Sequence, residues 1–275
     1  MFCYYLIKFS LTKKFFDLKF VWYFRVLTND FIFLIMDEIS IKKCFEEEIN
    51  RILFDEKFQE IDVIKRGFII QDKQINNSIL FIGINPSFDG KSNNIETKFY
   101  DLNQFDCKSN HKYFSKFQDI STKVNESWSH IDLLYFRETN QNFIKKLLND
   151  EVGIEFIDRQ LEISIKMIEK INPKIIVVNN TMARNLLGFN NKSDKSRKDL
   201  EFTFDNNLGT YRIVNHPNLN DTPIFLARES SPIVPILAYS KIKVSIVPDI
   251  ISITVITTAI FVVRVSFLSF FATYL

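Results

Sequence analysis

Short unbroken apolar runs alternate with striped segments along this chain, and that alternation predicts its architecture. Ser78 to Ser87 reads S-I-L-F-I-G-I-N-P-S, and Ile79–Ile82 has the β-branched and aromatic character of a strand buried on both faces. Gly83, Asn85 and Pro86 end the run at once in loop chemistry. His130–Phe136 and Lys174–Asn179 predict further buried strands, Phe202–Phe204 with Thr210–Val214 a hairpin, and Thr222–Leu226 a last strand. The striped segments predict helices. Ile41, Phe45, Ile49, Ile52 and Leu53 share one face, as do Phe114, Phe117 and Ile120 within His111–Val124. Another helix is predicted at Gln141–Leu148. Ile154, Ile157, Leu161, Ile165 and Ile168 mark a longer one ending at Asn172-Pro173, and Thr181 is placed to cap a short one over Met182–Leu187. A polar loop runs from Gly83 to about Asn110. The order implies an α/β fold in three layers, with a central, mainly parallel four-stranded sheet flanked by helices.

In open α/β sheets ligands bind at the carboxyl ends of the strands, where Gly83–Ser87 falls. Gly83 lets backbone approach a ligand, Pro86 stiffens the turn, and Asn85 both donates and accepts hydrogen bonds. A strand that simply ends in a turn is the plainer alternative.

Composition narrows the classes. The 275 residues carry a net charge of +2, so no global basic field draws nucleic acid. Residues 36–227 hold about 26 Lys and Arg against about 29 Asp and Glu, and both flanks are net basic. Cys3, Cys44 and Cys107 are too few and too widely spaced for a disulfide framework or a zinc site, which points to a reducing cytoplasm. His111, His130 and His216 are scattered, and no metal or cofactor is expected. Residues 1–35 show neither a clean stripe nor a signal peptide, and the expectation is a mis-called extension before a start at Met36, with an amphipathic arm as the alternative. Beyond Ala227 the composition changes abruptly. Residues 228–275 read either as a frame-shifted tail or as a weak membrane anchor, since Arg264 interrupts the apolar stretch 250–275. A membrane partner is expected only if that tail is genuine.

Over residues 36–227 these pieces together resemble the uracil-DNA glycosylase superfamily, most closely its mismatch-specific branch. Gly83-Ile-Asn-Pro86 is similar to the family's first motif and follows the first buried strand as it does there. His111, Phe114 and Phe117 resemble the segment after it, and Asn172 to Asn180 with Ala183 resembles a later stretch. The resemblance implies a DNA-repair hydrolase that excises uracil or a related damaged base from DNA without metal. It assigns the base pocket to Gly83, Ile84, Pro86, Ser87 and Phe114 and the water to Asn85. Phe114 reads equally as core. Lys192, Lys195, Arg197 and Lys198 are candidate phosphate contacts, or a solvated loop. The family's second motif follows the last strand, where this chain has Ala227-Arg-Glu-Ser-Ser-Pro. His216-Pro-Asn-Leu-Asn is a substitute, with His216 polarising the base, although it precedes that strand and also reads as an ordinary loop. The most efficient branch's acid is absent, because Asn85 stands in its region. A catalytically inactive nucleotide- or protein-binding module, or a damaged gene product, is the alternative.

Overall fold

The computed structural model describes residues 38–90, 94–102, 112–189 and 200–226. The expectations for residues 1–35 and 228–275, and the candidate phosphate contacts Lys192, Lys195, Arg197 and Lys198, lie outside them. In chain order the elements are β1 (Glu38–Ser40), α1 (Ile41–Leu53), β2 (Phe68–Gln71), β3 (Lys73–Ile75), β4 (Ile79–Gly83) and β5 (Thr97–Tyr100). There follow α2 (Lys112–Val124), β6 (Trp128–Asp132), α3 (Asn142–Leu147), α4 (Glu151–Ile171), β7 (Ile175–Val178) and α5 (Thr181–Leu186). The hairpin β8 (Phe202–Asp205) and β9 (Thr210–Ile213) precedes β10 (Pro223–Leu226).

A six-stranded, mostly parallel sheet in the order β6-β4-β7-β10-β9-β8 carries the fold. Its first four strands are mutually parallel, while β9 pairs antiparallel with both β10 and β8, and this hairpin widens the expected four-stranded sheet to six. The period-two alternation of a strand divides each central run between two cores. Ile79 and Phe81 of β4 and Ile175 and Val177 of β7 face α2, where Phe114, Phe117, Ile120 and Val124 meet them. Leu80, Ile82, Ile176 and Val178 face α1, α3 and α4 on the other side. These runs read as continuously apolar because helices cover both faces.

The capping chemistry explains the helix bounds. Asp150 accepts from the Gly153 amide at 2.8 Å and starts α4 three residues before its apolar stripe. Asn172 closes it in the left-handed region at φ 47°. The short helix α5 is capped by Asn180, which accepts from Met182 and Ala183, and Thr181 is its first helical residue.

Strand β6 ends at Asp132, four residues short of the apolar run that predicts it. From Leu133 to Phe136 the chain is held instead by α4. The Tyr135 amide donates to Gln160 Oε1 at 2.8 Å, Ser164 Oγ donates to the Leu133 carbonyl at 2.8 Å, and the Tyr135 hydroxyl meets Ser164 at 2.8 Å. On its other side Ile69 donates to the Tyr135 carbonyl, which seats the small parallel pair β2–β5 beside the sheet. The outer edge of β6 is closed by side chains: Gln74 Nε2 donates to the His130 carbonyl at 3.0 Å, and Ser129 Oγ accepts from Ile75 N at 2.8 Å. The four short strands β1, β2, β3 and β5 are additions to the elements that the sequence pattern predicts.

Gln160 is fully buried, and its carbonyl is the acceptor for the Tyr135 amide. Gln160→Leu leaves that donor unpaired, so the variant should lose about 1–3 kcal/mol of stability. Urea denaturation followed by circular dichroism measures it, and a midpoint unchanged from the native chain contradicts the assignment.

Candidate functional site

The carboxyl edge of the parallel strands gathers the chemistry. The chain passes from β4 to β6 through α2 on one face and from β6 to β7 through α3 and α4 on the other. Strand order therefore reverses about β4, the switch point at which open sheets bind ligands. The loop Gly83–Ser87 leaves β4 at that point.

Its carbonyls are tied down. Leu134 N donates to the Ile84 carbonyl at 2.9 Å, and Glu138 N to the Pro86 carbonyl at 3.0 Å. Asn85 adds a clamp, its Nδ2 donating to the carbonyls of Glu138 at 2.6 Å and Pro86 at 3.0 Å. The amide of Asn85 thus fastens the loop to the segment after β6 and leaves only its Oδ1 for a ligand. Among the described residues, the backbone N–H groups of Asn85 and Ser87 have no acceptor.

Gly83 stands opposite Asp132 in the β4–β6 register. A Cβ at Gly83 lies 2.1 Å from Asp132 Oδ1 and 3.3 Å from His130 Nε2, so glycine alone admits both side chains over this strand. His130 and Asp132, two apart on β6, point to the same face. Their closest atoms are 3.9 Å apart, too far for a hydrogen bond. His130 is 1% exposed, with neither ring nitrogen hydrogen-bonded. It stacks on Phe117 at 5.6 Å and meets Phe114 edge-on at 5.1 Å. Asp132 is largely buried and accepts no hydrogen bond among the described residues.

Burial decides the proton affinities. It pushes the Asp132 carboxyl up to about 7 and His130 down to about 3, inverting the usual order of acid and base. Desolvation, and then the Asp132 charge, raise the phenols of Tyr100 and Tyr113, which face this carboxyl from β5 and α2. Asn179, just after β7, lies close enough to Tyr113 to act on that phenol, and its Nδ2 is buried without a partner. A carboxyl that titrates near neutrality, in a cleft with uncommitted donors, has the makings of an acid–base site.

Other candidates fall elsewhere. Phe114 is 8% exposed and packs in the core against Trp128, Phe117 and His130, so it supports the site from beneath. His216 sits in the β9–β10 connection. Because β9 is antiparallel to β10, that connection lies at the amino ends of the parallel strands, at the opposite edge from Gly83–Ser87. There its Nε2 lies 3.6 Å from Glu169, and Asn218 donates to the same carboxylate. A role for His216 at the loop is excluded by this topology.

His130 and Asp132 escaped the sequence reading, although a signal was present: two titratable residues at i and i+2 in an apolar run share one strand face. Among the described residues no helix is long and apolar enough to cross a membrane. No protein-family model, curated protein or solved structure matches the chain.

Two outcomes test this geometry. Gly83→Ala forces the Asp132 carboxyl aside and should cost about 1–3 kcal/mol, measured by urea midpoint. Native stability at that substitution would show that the carboxyl is freer than the register implies. The second outcome is a pair of opposing proton linkages. Asp132 is raised from 3.8, so its contribution falls as pH rises from about 4 to about 7. His130 is lowered from 6.5, so its contribution falls as pH drops from 6.5 towards 3. Between about pH 4 and 6.5 the two slopes, each up to about 1.4 kcal/mol per pH unit, cancel. Asp132→Asn leaves His130 unopposed, so acidification through this window should destabilise the variant more steeply than the native chain. Parallel stability profiles from pH 4 to 7 contradict it.

Proposed function

We propose that this protein is a base-excising DNA N-glycosylase of the uracil-DNA glycosylase type, with Asp132 as its general base. The observation that carries the reading is the unpaired, largely buried carboxyl of Asp132, held flush against the glycine of the G-I-N-P loop and titrating near neutrality. The order strand, G-I-N-P loop, helix, strand, helices, strand, hairpin, strand, with β5 added before α2 and α5 before the hairpin, supports the family resemblance.

Hydrolysis of an N-glycosidic bond passes through an oxocarbenium-like transition state, as in glycoside hydrolysis. A base extruded from DNA enters the cleft at the switch point. Asp132, ionised, takes one proton from a water as the water oxygen bonds to the sugar carbon, and Asn85 Oδ1 accepts a hydrogen bond from the O–H that remains. The C–N bond breaks and its electron pair leaves with the base. The uncommitted N–H groups of Asn85 and Ser87 are donors of the kind that stabilise such an anion. Tyr113 and Asn179 border the cleft and are candidates to read the base edge.

The second reading, an inactive binding module of the same fold, draws on two observations: the Asn85 amide is committed to the loop, and His216 lies at the far edge.

The test is release of uracil from single-stranded and mismatched oligonucleotides by the full chain, with EDTA present. The rate should rise with pH through about 7 and level off above it. Asp132→Asn should lower it by about 10²-fold or more and remove that rise. Oligonucleotide binding without base release supports the binding module. Activity that survives Asp132→Asn places the chemistry elsewhere.

A further inference from the structure

Behind Asp132, between the edge of β6 and the β2–β5 pair, lies a cavity of about 10 Å³, room for about one water molecule. Gln71, Tyr100, His130, Asp132, Tyr135 and Met167 contribute to its wall. Gln71 reaches it because it stands in register with Tyr100 on the neighbouring strand. Its amide is oriented by Nε2, which donates to the Lys73 carbonyl at 3.1 Å. That leaves Gln71 Oε1, on a side chain more than nine-tenths buried, without a donor. The ring nitrogens of His130 are equally without partners, and the largely buried Asp132 carboxyl borders the same cavity. Two polar residues in one wall, Gln71 and His130, thus have unmet hydrogen bonds, and buried polar groups in folded proteins rarely go unmet.

We infer that this cavity is a binding site for one ordered water, which donates to Gln71 Oε1 and to the Asp132 carboxylate and faces the His130 ring. Gln71 then acts as a positioning residue: it orients the water, and the water orients the carboxylate. Three hydrogen bonds are the usual complement of a buried water. A donor on the carboxylate favours its charged form, so the site holds Asp132 more acidic than burial alone would leave it. The groups facing the carboxyl are His130 on its own strand, Tyr100 on β5 and Tyr113 on α2. The catalytic consequence rests on the proposed glycosylase reading, whereas the water site does not.

The experiment follows the Asp132 carboxyl of the full chain by carbon NMR across pH, with Asp132→Asn to assign the signal. Gln71→Met keeps the length and apolar packing of the side chain and removes its acceptor. It should raise the Asp132 midpoint by about one pH unit or more, the scale of one hydrogen bond to a charged group. An unchanged midpoint overturns the site. Should Gln71→Met not fold, a crystal structure of the native chain decides: a water within hydrogen-bond distance of Gln71 and Asp132 supports the inference, and a dry cavity overturns it. Substrate separates this from the proposed function. A shifted midpoint in a protein that releases no uracil supports the water site and defeats the glycosylase reading. Uracil release whose pH profile is unmoved by Gln71→Met overturns the water site alone.

Discussion

The absence of a side chain at Gly83 is the constraint on which the site depends. Parallel pairing of β4 and β6 sets Gly83 opposite Asp132, and the carboxylate occupies the space that any Cβ would claim. That placement brings His130 and Asp132 over the end of β4, where the chain leaves the sheet. It also keeps the carboxyl largely out of water, which raises its proton affinity into the neutral range. One missing methyl group thus couples strand register to acid–base chemistry.

The surroundings make the arrangement rigid. Asn85 and the carbonyls of Ile84 and Pro86 bind the loop to the segment after β6, and Gln160 and Ser164 of α4 bind that segment from below. On the opposite face the ring of His130 lies among Phe114, Phe117 and Tyr113 of α2. The polar edge is therefore gripped by helices on both sides of the sheet. A buried acid and a buried base with inverted proton affinities sit in this frame: their desolvation costs add, while their opposing linkages flatten the pH dependence between about pH 4 and 6.5.

The G-I-N-P loop divides two kinds of work. Its carbonyls and the side-chain Nδ2 of Asn85 are structural, whereas the backbone N–H groups of Asn85 and Ser87 and the Asn85 Oδ1 stay available among the described residues. An asparagine cannot serve as a strong base. In the proposed reaction the carboxyl of Asp132 on the neighbouring strand takes that part.

Much of this was legible along the chain. The runs Ile79–Ile82, Lys174–Asn179 and Thr222–Leu226 and the stripe from Ile154 to Ile168 determine strands and helices locally, because burial on two faces or one leaves a periodic trace. The loop after Ile82 was legible for the same reason, since Gly and Pro punctuate locally. What only the tertiary structure decided depends on pairing between distant segments. The end of β6 at Asp132 is set by hydrogen bonds from α4. The widening of the sheet follows from β9 pairing with β10, and the same antiparallel step sends His216 to the far edge. The placement of the Asp132 carboxyl beside the G-I-N-P loop depends on register with Gly83, some fifty residues away in sequence. Hydrophobic periodicity records which side of an element is buried. It does not record which neighbour lies across the sheet, and proton affinity is set by that neighbour.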